Sequence, residues 1–313
     1  MAGILSGRSL VRLSDFDKTE IRLILDLSHE VKRERKSGVI QQRFLGRTLA
    51  LIFEKRSTRT RCAFETAFGE EGGHPVFLSV DDIQLGTKES VEDTARVLGR
   101  MFNGIMFRGY EQATVEKLAA NSGVPVFNGL TDTWHPTQVL ADLMTIEEHF
   151  GGLEGKRVAF VGDGRNNVAR SLMVGGAKMG LRMAIVAPNA LSPDPELLAS
   201  VRKLAQASRG AIEVTESVEF GVKGADVIYT DVWTSMGEED KRTERESLLL
   251  PYQVNDDLMQ QTGNPGCVFM HCLPAVKGSE VTAEVIDGAG SLVWDQAENR
   301  KHTIKALMIA TML

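Results

Sequence analysis

Apolar residues recur along the chain in two alternating rhythms. Short, mostly apolar runs bounded by glycine, proline or polar residues stand at 49–53, 75–79, 104–107 and 124–127. Five more follow at 158–161, 183–186, 212–215, 226–229 and 267–270. Runs of four or five are the length of buried strands. Between them lie stretches with helical spacing. From Asp15 to Lys36, Ile21, Ile24, Leu25 and Leu27 are set among many charges. Ala63 and Ala67, and Phe64 and Phe68, pair at i, i+4, and Gly72-Gly73 closes that segment. Helices are predicted from about Ser90 to Arg100, from Pro136 to about His149, and, amphipathic, from Glu298 to Leu313. Pro136 suits a first helical turn, where its missing N–H costs nothing.

Strands alternating with helices imply right-handed crossovers and parallel sheets. The clearest break in composition is Gly151-Gly-Leu-Glu-Gly155. The predicted fold is therefore α/β, with two doubly wound domains, 1–150 and 151–297, each on a parallel central sheet. In such sheets ligands bind beyond the carboxyl ends of the strands. Two of them facing each other would form an interdomain active-site cleft. Asp81-Asp-Ile-Gln-Leu-Gly-Thr-Lys-Glu89, polar and glycine-containing, reads as a loop with mobility of its own.

Charge narrows the partners. Lys+Arg 36 against Asp+Glu 42 gives a net charge of -6, so no basic excess points to nucleic acid or an anionic membrane. No segment reaches the roughly 18 uninterrupted apolar residues of a membrane helix, and Met1 to Arg8 lacks a leader-like apolar core. Cys62, Cys267 and Cys272 are few and odd in number, which favours a reducing cytoplasmic setting over a disulfide framework. No Cys/His cluster has metal-ligand spacing.

Against that background one basic cluster is out of proportion. The run Leu49–Phe53 leads into Glu54-Lys-Arg-Ser-Thr-Arg-Thr-Arg61 and then into a helix. Ser57 or Thr58 is a natural N-cap. A helix start presents unpaired N–H groups and the positive end of the dipole, and adjacent guanidinium groups complete a cradle for an anion such as phosphate. A lone Ser-Thr start would be an ordinary cap beside a solvated patch. Three arginines alternating with hydroxyls shift the reading towards a small anion.

Other candidates follow strands. Arg108 alone would read as a surface ion-pair partner. His135 and Gln138 share one face of a helix start. Gly162-Asp-Gly-Arg-Asn-Asn167 half resembles a dinucleotide loop, but Asn167 stands where the third glycine is needed. Asp231-Val-Trp-Thr-Ser-Met-Gly237 could be an ordinary strand-end turn or, through its carboxylate, an ammonium site. In His271-Cys-Leu-Pro274, Cys272 lies between a strand and a turn, whereas Cys62 and Cys267 read as packing residues.

Ser57-Thr-Arg-Thr-Arg61, His135-Pro-Thr-Gln138, the Asp231–Gly237 string and His271-Cys-Leu-Pro274 together resemble the aspartate/ornithine carbamoyltransferase family, over nearly the whole chain and in family order. The Asp-x-x-x-Ser-Met-Gly string and the cysteine of the last motif match the members that use ornithine. The resemblance implies carbamoyl phosphate and L-ornithine as substrates. It places Ser57, Thr58, Arg59, Thr60 and Arg108 on the phosphate and His135, Gln138 and Arg300 on the carbamoyl group. Asn167, Asp231, Ser235 and Met236 fall on the amino acid, and Cys272 with Leu273 beside the attacking nitrogen. It also implies that Gln84 is supplied by a neighbouring subunit, hence a homotrimer or a multiple of trimers. The helix from Glu298 would return to the first domain, and no metal or organic cofactor is called for. The rivals are a carbamoyltransferase for another amine such as putrescine, an NAD-binding dehydrogenase built on 158–167, and a non-catalytic anion sensor.

Overall fold

The structure, a computed structural model, describes residues 4–79, 83, 85, 88–234 and 242–313. Gln84, Ser235 and Met236 thus lie outside the described residues, as does much of the loop expected at 81–89. The chain forms two compact units, 1–144 with 298–313, and 145–297.

The first unit opens with α1 (Lys18–Lys36), started by an Asp17/Glu20 capping box. There the Asp17 carboxylate accepts from the Glu20 N–H while Glu20 accepts from the Asp17 N–H, which satisfies two donors at once. Then follow β1 (Thr48–Phe53), α2 (Thr58–Gly69), β2 (His74–Ser79), α3 (Val91–Met101), β3 (Gly104–Arg108), α4 (Gln112–Asn121), β4 (Val126–Leu130) and α5 (Pro136–Phe150). The sheet is parallel, in the order β2-β1-β3-β4. Connections run one way from β1 and the other way from β3, so the topological switch point lies between β1 and β3. Because side chains alternate across a strand, Ala50 and Ile52 point to one core with Ile105, Phe107, Val115 and Leu118.

The second unit comprises β5 (Arg157–Val161), α6 (Asn167–Met179), β6 (Arg182–Val186), α7 (Pro195–Ala207), β7 (Ala211–Thr215), α8 (Val218–Val222), β8 (Val227–Thr230), α9 (Arg242–Leu249), α10 (Asp256–Gln261), β9 (Val268–His271) and α11 (Ala283–Ile286). Its sheet is also parallel, in the order β7-β6-β5-β8-β9. The switch point falls between β5 and β8. All nine expected strands are present, their ends displaced by up to three residues.

The last helix, α12 (Val293–Met312), starts five residues earlier than its apolar pattern suggested. It is also not amphipathic in its setting: residues 302–312 are all buried. The polar residues are absorbed by partners in the first unit. Lys305 pairs with Glu70 and Glu71, Lys301 with Glu70, and Lys32 donates to the Asn299 side chain at 2.7 Å. Among the described residues no helix is long and apolar enough to cross a membrane.

Candidate active site

In the first unit the site is assembled from the ends of β1, β3 and β4 and from α12. Ser57 is the N-cap of α2: its hydroxyl accepts from the Thr60 N–H at 3.2 Å. That choice exposes Thr58 on the first turn and turns Thr60 inward, where it is fully buried. Thr60 becomes a meeting point. Its hydroxyl accepts from Arg108 Nη1 at 3.3 Å and from Arg300 Nη2 at 2.9 Å. Both arginines are almost wholly buried, an expensive state for a cation unless acceptors or an anion are supplied. Arg61, by contrast, is turned outwards, paired with Glu65 at 2.9 Å and stacked 3.9 Å from the centre of the Phe77 ring.

His135 sits immediately before α5, held by a turn in which the Thr131 N–H donates to the Trp134 carbonyl at 2.9 Å. Burial lowers its pKa well below the usual range for an imidazole, and Arg300, Arg108 and Arg59 push in the same direction. His135 is therefore neutral at pH 7, and a neutral imidazole donates from one ring nitrogen without adding a cation. Gln138, one turn further, donates to Asp142 at 2.9 Å. Its carbonyl oxygen is buried and meets no hydrogen-bond partner among the described residues. Ser57, Thr60, Arg108, His135 and Arg300 are thus brought together, and Arg59 is close enough to act on the His135 charge.

The second unit builds a different surface at the equivalent strand ends. Gly162, with φ +133°, takes a backbone shape that a side chain would strain. It starts the loop that leads to Asn166, the N-cap of α6, whose side-chain oxygen accepts from the Ala169 N–H at 2.7 Å. The Asn166 amide donates in turn to Asp231 Oδ2 at 3.3 Å. Asp231 also accepts from its neighbour's Val232 N–H at 2.9 Å and from the Cys272 thiol at 3.1 Å. Burial raises the Asp231 pKa, opposed by His271, the Cys272 thiol and the Val232 N–H. A buried carboxylate with few charge partners is suited to receive an ammonium.

The loop after β9 carries backbone strain. Leu273 has φ +58° and precedes a cis peptide to Pro274. A left-handed leucine costs about 1–3 kcal/mol, and the Leu273 N–H donating to His271 Nδ1 at 2.8 Å holds it there. The other ring nitrogen, His271 Nε2, lies 3.3 Å from Glu280 Oε1. Asp231, His271 and Cys272 each bring a potential ligand atom to within 4.8 Å of the others. His271 Nδ1 is taken by the Leu273 N–H and the Cys272 thiol by Asp231, so these side chains are held in place by their own loop.

Some participants carry no signal in the sequence. Asn166 contacts Asp231, and Asn167 is the first residue of α6. Asp163 is locked by Arg245 Nη1 at 2.6 Å, a buried pair 82 residues apart in the chain. Cys62 contradicts its reading as a packing residue: it is exposed. The helical phase of α2 directs Ala63, Phe64, Ala67 and Phe68 into the core and leaves 62 facing out.

Taken by class, this is an α/β enzyme with one unit that gathers guanidinium groups at its switch point and another that offers a carboxylate, a thiol and amides at its own. Sequence comparison is specific. Residues 8–148 match the carbamoyl-P binding domain of aspartate/ornithine carbamoyltransferase, and residues 154–311 match the Asp/Orn binding domain. An ornithine carbamoyltransferase of Caldanaerobacter subterraneus subsp. tengcongensis is 63% identical over 313 residues, covering 100% of both chains. One of Pseudothermotoga lettingae is likewise 63% identical with full coverage of both. The solved ornithine carbamoyltransferase of Pyrococcus furiosus superposes with a TM-score of 0.95 at 46% identity, covering 98% of each chain. The chain belongs to the aspartate/ornithine carbamoyltransferase family.

Proposed function

We propose that this chain transfers the carbamoyl group of carbamoyl phosphate to the δ-amine of L-ornithine, giving L-citrulline and phosphate. The observation that carries the reading is the gathering of Arg108 and Arg300 on the buried Thr60 hydroxyl beside a neutral His135. Arg59, Arg108 and the Ser57–Thr60 helix start hold the phosphate, whose charge grows as it departs. His135, Gln138 and Arg300 hold the carbamoyl oxygen and amide. A neutral imidazole can donate to the oxygen as it gains charge, and the buried Gln138 oxygen is an acceptor suited to the carbamoyl NH₂.

Ornithine's α-ammonium goes to Asp231, with Asn167, Ser235 and Met236 completing the grip. Cys272 and Leu273 position the δ-nitrogen. An alkyl ammonium has a pKa of about 10.4, so the reactive species is the minor neutral amine. Its lone pair attacks the carbamoyl carbon, the C–O bond to phosphate breaks, and the proton lost by the nitrogen ends on the phosphate. Positioning and electrostatics supply the catalysis, with no covalent intermediate on the enzyme. Three free cysteines support a cytoplasmic setting, and the family resemblance at Gln84 supports a trimer in which that residue serves a neighbour's site.

The test is phosphate release from carbamoyl phosphate with ornithine, putrescine and aspartate side by side, with citrulline identified as the ornithine product. Ornithine should exceed both others by at least about 100-fold in kcat/KM, a gap of about 2.7 kcal/mol. A preference for putrescine or aspartate would overturn the assignment. For the trimer, mixing Arg59→Ala with Gln84→Ala subunits should restore activity through hybrid sites, and no recovery in a verified mixed oligomer counts against it.

A further inference from the structure

Three loops of the first unit deliver Ser57 to Arg59, Arg108 and His135, and a compact cluster ties their bases together. The Glu54 N–H donates to the Arg108 carbonyl at 2.8 Å, and the Gly109 N–H to the Leu130 carbonyl at 3.0 Å. The Tyr110 N–H donates to Glu54 Oε2 at 3.0 Å, and the Asp132 N–H to the Tyr110 carbonyl at 2.9 Å. Gly109 allows this closeness, because a Cβ there would strike the Glu54 carboxylate and the Phe107 ring. In the middle stands Lys55, with only 4% of its side chain exposed. Its ammonium pairs with Asp132 and lies 4.3 Å from the centre of the Tyr110 ring. Lysine is rarely buried without a specific partner. Here a single cation grips the base of all three loops, through its own backbone after β1, the ring after β3 and the carboxylate after β4.

We propose that Lys55 is a positioning residue for the carbamoyl-phosphate cradle: by pairing with Asp132 against Tyr110 it holds the three loops in register and is not itself a ligand of the anion. The inference rests on the reading of this unit as the carbamoyl-phosphate site. The pair is screened on its Asp132 side, but the Lys55 ammonium is buried and adds the attraction of the ring face to that of the carboxylate. Its loss would let the three loops drift independently. Catalytic geometry tolerates shifts of only about 1 Å before rates fall by orders of magnitude.

The experiment uses Lys55→Met, Asp132→Asn, the double variant and Lys55→Arg in the full chain. For each, kcat and both KM values are measured, together with carbamoyl-phosphate and inorganic phosphate affinity by calorimetry and the unfolding temperature. Each single variant should lower kcat/KM for carbamoyl phosphate about tenfold or more and leave KM for ornithine within threefold. The double variant should be no worse than Lys55→Met, since both remove one interaction. Lys55→Arg should recover most of the loss, because a guanidinium can pair with a carboxylate and stack on a ring. If Asp132→Asn behaves like wild type while Lys55→Met fails, the lysine acts on the anion directly and the proposal is wrong. Additive losses, or equal damage to both KM values, also overturn it. Should Lys55→Met not fold, Asp132→Asn and Lys55→Arg still decide, since the Asp132 side chain is 57% exposed. Wild-type chain that binds phosphate but forms no citrulline would refute the function and leave the clamp testable through phosphate affinity.

Discussion

The two units share a plan and differ in charge. Each is a doubly wound parallel sheet whose loops at the switch point carry the candidate chemistry, after β1 and β3 in one and after β5 and β8 in the other. In the first, Arg108 and Arg300 meet on Thr60, and burial, helped by these two and Arg59, keeps His135 uncharged. In the second, Asp231 sits on Asn166 and Cys272, its carboxyl raised by burial. The backbone arrangement makes both ends concave and rich in orientable loop groups. Side chains alone then decide that one end awaits an anion and the other a cation. Guanidinium groups gather in one and a buried carboxyl in the other, groups that an apolar core does not tolerate without partners.

The largest expected effect lies on the cationic side. Arg108→Ala should lower turnover by about 10³-fold, the scale for removing a group that stabilises developing charge, and weaken carbamoyl phosphate while the fold persists. Steady-state kinetics and calorimetry read both. Turnover within tenfold of wild type would break the contrast at its stronger end.

Next comes Asp231→Asn. The efficiency for ornithine should fall by about 10²-fold, and the preference over putrescine, which has no α-ammonium, should shrink with it. Competition of the two amines in one reaction measures the ratio. Full retention of ornithine selectivity would remove Asp231 from the α-amine and the Asp231–Gly237 loop with it. Cys272→Ala should do less, about tenfold in ornithine efficiency. It removes a thiol that orients Asp231 and the amine without breaking a covalent step.

The smallest effects are in stability against pH, and their signs are opposite in the two units. Asp231 has a raised folded pKa, so the native state binds more protons than the unfolded chain above about pH 3.9, the free carboxyl value, and stability falls as pH rises through that window. His135 is lowered well below 6.5. The unfolded chain binds more protons there, so its contribution is present above about pH 6.5 and lost as pH falls. His302, lowered to about 4 by burial, acts in the same direction over pH 6.5 to 4. Asp231→Asn should therefore melt at the same or a higher temperature than wild type at pH 8. His302→Gln should flatten the loss between pH 6.5 and 4. Calorimetric scans at three pH values test both, and a destabilised Asp231→Asn protein at pH 8 would contradict the sign.

Much of this organisation was legible in the sequence, for a physical reason. Strands buried on both faces must be continuous apolar runs, so 158–161 or 183–186 announce themselves. The N-cap role of Ser57 follows from local hydrogen bonding alone. Pairings between residues distant in the chain do not. Thr60 and Arg300 stand 240 residues apart, and Asp231 and Cys272 stand 41 apart; no local rule joins them, and only the family resemblance anticipated both. Lys55, Asn166 and Arg245 were missed because a lysine, an asparagine and an arginine in polar loops look like solvated surface until burial is known. Cys62 was misread for the converse reason: its residue type favours burial, but its helical phase does not. The short helices α8, α10 and α11 carry too few residues to establish a period.

The measurement that bears most directly on the division of labour is carbamoyl-phosphate affinity by calorimetry in wild type, Arg59→Ala and Asp231→Asn, run under one buffer. Arg59→Ala should weaken binding by at least about 100-fold, near 2.7 kcal/mol, and Asp231→Asn should stay within threefold of wild type. Equal losses in the two variants, or near-normal binding in Arg59→Ala, would contradict an anion site confined to the first unit.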